Sequence, residues 1–227
     1  MALDPRKQQK KVERRKAKDK ARKLAEKQHA KDLQLKLHNS IPTAPILDCL
    51  VSESLWVQGM GHVVISRELP GNQVACADFL LDSYCLGVKN AMLFIKSRAE
   101  YEHGFLERFS ENVPHAEVEP EFARMLIEGG IAYAQQFGFS PHPDYKKASV
   151  LLGDIETAED AFDFEFGCNG MPLYISGPHD SPERSNRIIH ALHDHCGPGG
   201  YHYMAHNVRA ELLPEVDTRE VAIEYDE

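Results

Sequence analysis

Cys85 is the residue whose surroundings best suit nucleophilic chemistry. Asp82 precedes it and would cap a helix that the apolar spacing predicts over residues 84–98, so the thiol would lie in the first turn. The unpaired N–H groups at a helix start favour a thiolate, and Lys89, one turn further on, would add positive charge. The alternative is a small, buried apolar side chain beside Val88, because no family signature flanks the cysteine.

His142 and His179 lie in proline-containing loops, where the base for such a nucleophile would be expected. His142 stands between Pro141 and Pro143, which restrict the backbone and would present the imidazole rigidly. His179 comes just before Ser181, which is predicted to cap the next helix. The alternatives are a plain connector between helices and ordinary cap chemistry. With Cys85, the two histidines form a candidate catalytic set for a small hydrolase or nuclease.

A metal site is the second chemical possibility. His195, Cys196 and His202 offer imidazole and thiolate ligands near the end of a predicted helix and on the strand that follows. His190 and His195 diverge by about 140° on a helical wheel, so these two cannot share one ion. The sequence contains no CxxC pair and no HExxH motif. The alternative is a His195 that is hydrogen-bonded in the core, and we assign no cofactor.

The first 38 residues carry fourteen Lys or Arg and five Asp or Glu, a formal charge of +9, whereas the other 189 residues sum to −18. A polycation binds polyphosphates because counterions are released from them. The arm contains no aromatic residue, so base stacking is not available to it and contacts would be made to the phosphate backbone. The residues predicted to make these contacts are Arg6, Lys7, Lys10, Lys11, Arg14, Arg15, Lys16, Lys18, Lys20, Arg22 and Lys23.

Three other roles for this basic arm follow from the same charges. The arm could be a solvated tail, or it could fold back on the acidic remainder of its own chain. It could also mediate self-association or bind acidic proteins. The acidic remainder, for its part, is a candidate surface for a protein partner and would repel phosphates.

Period-2 alternation predicts the strands that must position these residues. Residues 62–66 and 73–81 flank a Pro-Gly-Asn turn and predict one β-hairpin. Residues 162–166 (FDFEF) and 171–175 flank a Gly-Cys-Asn-Gly turn and predict a second hairpin. A further strand is predicted at 201–205.

Helical spacing predicts about four or five helices packed on these strands. Because strands and helices are partly segregated along the chain, the predicted class is α+β, preceded by a long basic arm that is helical or disordered. The predicted organisation is a basic arm at 1–38, a linker at 39–45, an α+β domain at 46–210 and an acidic segment at 211–227. The helices are predicted at 84–98, 100–109, 120–136, 144–152 and 181–196.

The composition narrows the class of protein. No apolar run approaches the ~20 residues that span a bilayer, and the N-terminus lacks the apolar core of a secretory signal. Five dispersed cysteines favour reduced thiols in the cytoplasm. The leading hypothesis is an RNA- or ribonucleoprotein-associated accessory protein that binds through the arm. The alternatives are the hydrolase or nuclease and a protein-interaction module with an acidic surface.

Overall fold

The computed structural model describes residues 38–157 and 164–205, together with Leu24 and Gln28. The chain divides into two units, residues 1–41 and 42–227. In the first unit, Leu24, Gln28 and residues 38–40 are helical, and Leu24 is exposed. The arm residues predicted to contact phosphates, from Arg6 to Lys23, lie outside the described residues, so their conformation stays a prediction.

The second unit contains a five-stranded antiparallel sheet in the order β4-β3-β2-β1-β5 and a two-stranded parallel sheet of β6 and β7. The mixed α+β class is therefore confirmed. The strands are β1 (Ile46–Ser52), β2 (Met60–Leu69), β3 (Gln73–Asp82), β4 (Gly87–Ser97), β5 (His115–Glu117), β6 (Leu173–Ile175) and β7 (His202–Met204).

The helices lie between and after these strands. They are α1 (Ser54–Gln58), α2 (Arg98–Glu100), α3 (Glu107–Asn112), α4 (Pro120–Gln135), α5 (Tyr145–Ala148) and α6 (Pro182–Cys196). A π-helical segment, Tyr101–Leu106, joins α2 to α3, and short 3-10 segments lie at Ile41–Thr43 and Ser149–Leu151. Within the described residues, none of these helices combines the length and apolarity that crossing a bilayer requires.

The first predicted hairpin is confirmed as β2 and β3. Gly71 and Asn72 in its turn both have positive φ, 78° and 58°, a conformation that glycine and asparagine adopt most readily. Along β3, Val74 and Cys76 pack on one face of the sheet against Tyr101 of the π-helical segment. The opposite face meets α4, where Leu81 lies against Gly130.

The helix predicted over residues 84–98 is wrong, because most of these residues form β4. The spacing of their apolar residues fits both the helical period of 3.6 and the strand period of 2. They form a strand because they hydrogen-bond to β3 along its whole length. Asp82 does cap the backbone as expected, but it caps the turn between β3 and β4: its Oδ1 accepts from the N–H groups of Tyr84 and Cys85 at 3.1 and 2.9 Å. Gly87 then begins the strand with φ +64°, close to the Gly130 carbonyl.

The second predicted hairpin is correct in its turn and wrong in its pairing. Asn169 and Gly170 have positive φ, and Cys168 and Met171 exchange backbone hydrogen bonds across them at 2.7 and 3.2 Å. The strand that follows, β6, pairs in parallel with β7, while residues 164–166 are not in a strand. Residues 162 and 163 lie outside the described residues.

The last part of the described chain builds a second apolar cluster. The helix predicted at 181–196 is confirmed as α6, with Ser181 accepting from the Arg184 N–H at its start, and the predicted strand at 201–205 contains β7. Helix α6 packs onto the turn before β4 and onto β6. The buried members of the cluster are Cys85, Leu86, Phe137, Tyr174, Ile188, Ile189, Leu192 and Tyr201.

Candidate anion site

A pocket of about 340 Å³ lies where three elements of the second unit meet. The start of β4 contributes Lys89, the loop that follows α4 contributes His142, and the first turn of α6 contributes Arg184. No Asp or Glu is among the described residues that line it. We call this the Lys89 pocket; its other lining residues are Leu86, Val88, Gly138, Phe139, Ser140, Pro141, Pro143 and Ile188.

Backbone hydrogen bonds fix His142 at the pocket. Its N–H donates to the Val88 carbonyl at 2.9 Å, and its carbonyl accepts from Tyr145 at 2.9 Å. The Asp144 N–H donates to Nδ1 of the imidazole at 3.2 Å. Since Nδ1 accepts, the neutral ring carries its hydrogen on Nε2, which leaves Nε2–H as a donor. The side chain is about one-third exposed, and Oδ2 of Asp144 lies 3.8 Å from the same Nδ1.

Asp180 orients Arg184 at the start of α6. Its Oδ1 lies 3.1 Å from Nε of Arg184, and its Oδ2 accepts from the Gly177 N–H at 2.8 Å and the Tyr174 hydroxyl at 3.0 Å. Burial alone would raise the pKa of Asp180, but these donors and the nearby charges of Lys89 and Arg184 outweigh it and lower the pKa. Asp180 is therefore an ionised anchor that holds the guanidinium by one edge.

In the part of the chain that the structure describes, Arg184 pairs with one carboxylate, Asp180, through Nε, and forms no ion pair with any other carboxylate. Lys89 forms no ion pair there either, although its charge acts on the carboxylates of Asp82 and Asp180. An ammonium and a guanidinium edge that are not already paired can accept an anion without first losing another partner.

The structure brings together only part of the predicted catalytic set. His142 lines the Lys89 pocket, and His179 lies on an exposed loop outside its lining. The side chain of Cys85 is wholly buried in the apolar cluster, and burial raises the pKa of its thiol far above the usual range. The helix start that was expected to lower this pKa is a turn between two strands, so the physical basis for an activated thiol is missing.

The predicted metal ligands lie at the end of α6 and on β7. His195 is exposed, and its Nδ1–H donates to the Ala191 carbonyl at 2.7 Å, while burial raises the pKa of the half-buried Cys196. His202 lies on β7. Across residues 38–157 and 164–205, no three His, Cys, Asp or Glu side chains are grouped closely enough to hold a metal ion.

Sequence reasoning missed two features. Arg184 was not selected, although it lies one turn after the correctly predicted cap Ser181. The second feature is an ion pair on the sheet between His62 and Asp78, whose Nδ1 and Oδ1 are 2.8 Å apart. The hydrogen bond to Asp78 raises the pKa of His62. The predicted turn at residues 70–72 fixes the register of β2 against β3, so it would have placed these two side chains on one face.

Comparisons of the chain with protein-family models, with curated proteins and with solved structures found no match.

Proposed function

We propose that this protein is an RNA- or ribonucleoprotein-associated accessory protein that binds the phosphate backbone through its basic arm. The observation that carries the proposal is the charge division along the chain, +9 in residues 1–38 against −18 in the remainder. A difference of this size concentrates attraction for polyanions in one segment. The absence of aromatic residues from the arm favours contacts that follow the backbone and read little sequence.

The acidic remainder limits where RNA can bind. Its charge repels phosphates, so the affinity has to come from the arm and has to fall steeply with salt. For a single strand, each phosphate contact contributes about −0.7 to the slope of log K against log salt concentration. If about six of the eleven selected residues are engaged, the slope is about −4.

The test uses the full chain and a single-stranded RNA of mixed sequence, with fluorescence anisotropy measured over a range of salt. In one variant, the eleven arm residues from Arg6 to Lys23 are changed to Gln. In the matched control, the seven lysines among them are changed to Arg, which keeps the charge. We expect the Gln variant to lose at least about tenfold in affinity at low salt and most of the salt slope, whereas the Arg control keeps both.

Equal affinity of the Gln variant and the unchanged protein at low salt would refute the proposal. An arm that folds back on its own acidic domain would be recognised by a second measurement, thermal stability. In that case the Gln variant binds RNA no worse than the unchanged protein, and it loses thermal stability.

A further inference from the structure

We infer that the Lys89 pocket is a binding site for a phosphate monoester, separate from the arm. The pocket places three donors on three different elements: Nζ of Lys89 on β4, the guanidinium of Arg184 on α6 and Nε2–H of His142 on the loop between α4 and α5. A tetrahedral phosphate with three outer oxygens accepts from donors that approach from separate directions, whereas a carboxylate offers two oxygens in one plane.

The charges at the pocket favour an anion in spite of the acidic domain. The lining residues described here are basic, neutral or apolar, and the nearest carboxylate to Arg184, Asp180, already holds the guanidinium through Nε. Asp180 therefore fixes the direction of Arg184 and leaves its terminal nitrogens for a ligand. Low-dielectric walls strengthen the attraction of an anion to Lys89 and Arg184 compared with a pair in open solvent.

The size and the walls of the pocket indicate that the phosphate carries an organic group. A volume of about 340 Å³ is at the lower end of the range for small-molecule sites and exceeds what a bare phosphate needs. Val88, Phe139 and Ile188 supply an apolar wall beside the cationic side. A compact aromatic or otherwise apolar group bonded to the phosphate would cover that wall.

The direct test is titration calorimetry of the full chain with phenyl phosphate. Inorganic phosphate and phenol are the comparison ligands, because each carries only one of the two groups of phenyl phosphate. Lys89→Met removes one charge from the pocket. Lys96→Met is the matched control, because Lys96 is a half-buried lysine on the same strand that does not line the pocket. The arm is identical in both variants, so weak binding of the probe to the arm cancels from their comparison.

We expect phenyl phosphate to bind the unchanged protein and the Lys96→Met variant equally, and Lys89→Met at least about tenfold more weakly. Inorganic phosphate should bind more weakly than phenyl phosphate, and phenol should not bind. If Lys89→Met does not fold, Arg184→Gln serves instead, because Arg184 is half-exposed and its loss removes no buried packing.

Three results would overturn the inference: no binding of phenyl phosphate at about 1 mM, equal binding by Lys89→Met and the unchanged protein, or equal binding of phenol and phenyl phosphate. A 5′-phosphorylated tetraribonucleotide and adenosine 5′-monophosphate then distinguish the source of the monoester. On the variant with the arm changed to Gln, stronger competition by the tetranucleotide assigns the site to an RNA end. Stronger competition by the mononucleotide assigns it to a free metabolite.

Discussion

The buried carboxylate of Asp82 gives a prediction whose sign and size both follow from its surroundings. The residue is 3% exposed in the turn between β3 and β4. Its Oδ1 accepts two backbone N–H groups, but its Oδ2 is buried with no hydrogen-bond partner among the described residues. Burial raises the pKa to about 6 although Lys89 and the backbone donors act in the opposite direction. We expect Asp82→Asn to change the pH dependence of stability.

The magnitude follows from linkage between protonation and folding. Between about pH 4 and pH 6 the folded protein retains the Asp82 proton and the unfolded chain has lost it, so this residue makes stability fall as pH rises. Raising the pKa from 3.8 to about 6 corresponds to about 3 kcal/mol at pH values above both. An asparagine does not titrate, and its amide oxygen can accept the same N–H groups. Compared with the unchanged protein, Asp82→Asn should therefore gain about 3 kcal/mol of unfolding free energy between pH 4 and pH 7.

The assay is urea unfolding of both proteins at intervals from pH 4 to pH 8. Asp180→Asn is the control of opposite sign. Because the pKa of Asp180 is lowered, its carboxylate contributes stability above the unfolded pKa, and that stability is lost as pH falls. At pH 4 and above this contribution is already almost complete, so Asp180→Asn should be less stable than the unchanged protein by a nearly constant amount across the assay, whereas the gain of Asp82→Asn grows with pH. A difference between Asp82→Asn and the unchanged protein that stays constant with pH would refute the reasoning.

Three further substitutions test the sheet and its first turn. Since the pKa of His62 is raised above 6.5 by Asp78, the ion pair stabilises the fold below about pH 6.5 and this contribution is lost as pH rises through the folded pKa. His62→Gln should therefore destabilise by about 1 kcal/mol more at pH 5.5 than at pH 9 in urea unfolding, and an equal effect at both would contradict the pairing. Gly87→Ala should cost about 2–4 kcal/mol, since φ is +64° and a Cβ would lie 2.8 Å from the Gly130 oxygen. Gly71→Ala, with φ +78° and nothing within 4 Å, should cost only about 1 kcal/mol by the same measurement.

Local chemistry made the first hairpin and α6 predictable. The turn at residues 70–72 and the cap at Ser181 are each encoded by a few neighbouring residues whose backbone preferences do not depend on the rest of the chain. The helix prediction for residues 84–98 was wrong for the complementary reason. Their apolar spacing fits a helix and a strand about equally, and the deciding interaction, pairing with β3, is not local.

The same distinction explains the candidate site. His142 could be selected from its two flanking prolines, and Lys89 from its position after a predicted cap. The sequence does not show that both residues lie at one pocket. The hydrogen bond from the His142 N–H to the Val88 carbonyl brings them together, and it joins segments more than fifty residues apart. Cys85 was selected for a helix start that does not form, and the parallel pairing of β6 with β7 follows from packing of α6 that no local pattern reveals.

The arm and the Lys89 pocket are both proposed to bind phosphates, but their charges are screened by salt to different degrees. Charges on a polar, aromatic-free segment are screened within about 8–10 Å at physiological ionic strength, and their affinity depends on counterions released from a polymer. Donors that converge on a partly enclosed pocket are screened much less, and a single monoester has no condensed counterions to release. The salt dependence therefore distinguishes the two proposals. Raising the salt concentration should remove the arm's affinity for phosphates and leave most of the pocket's affinity. The two proposals can consequently fail independently, since the residues of one do not include any of the other.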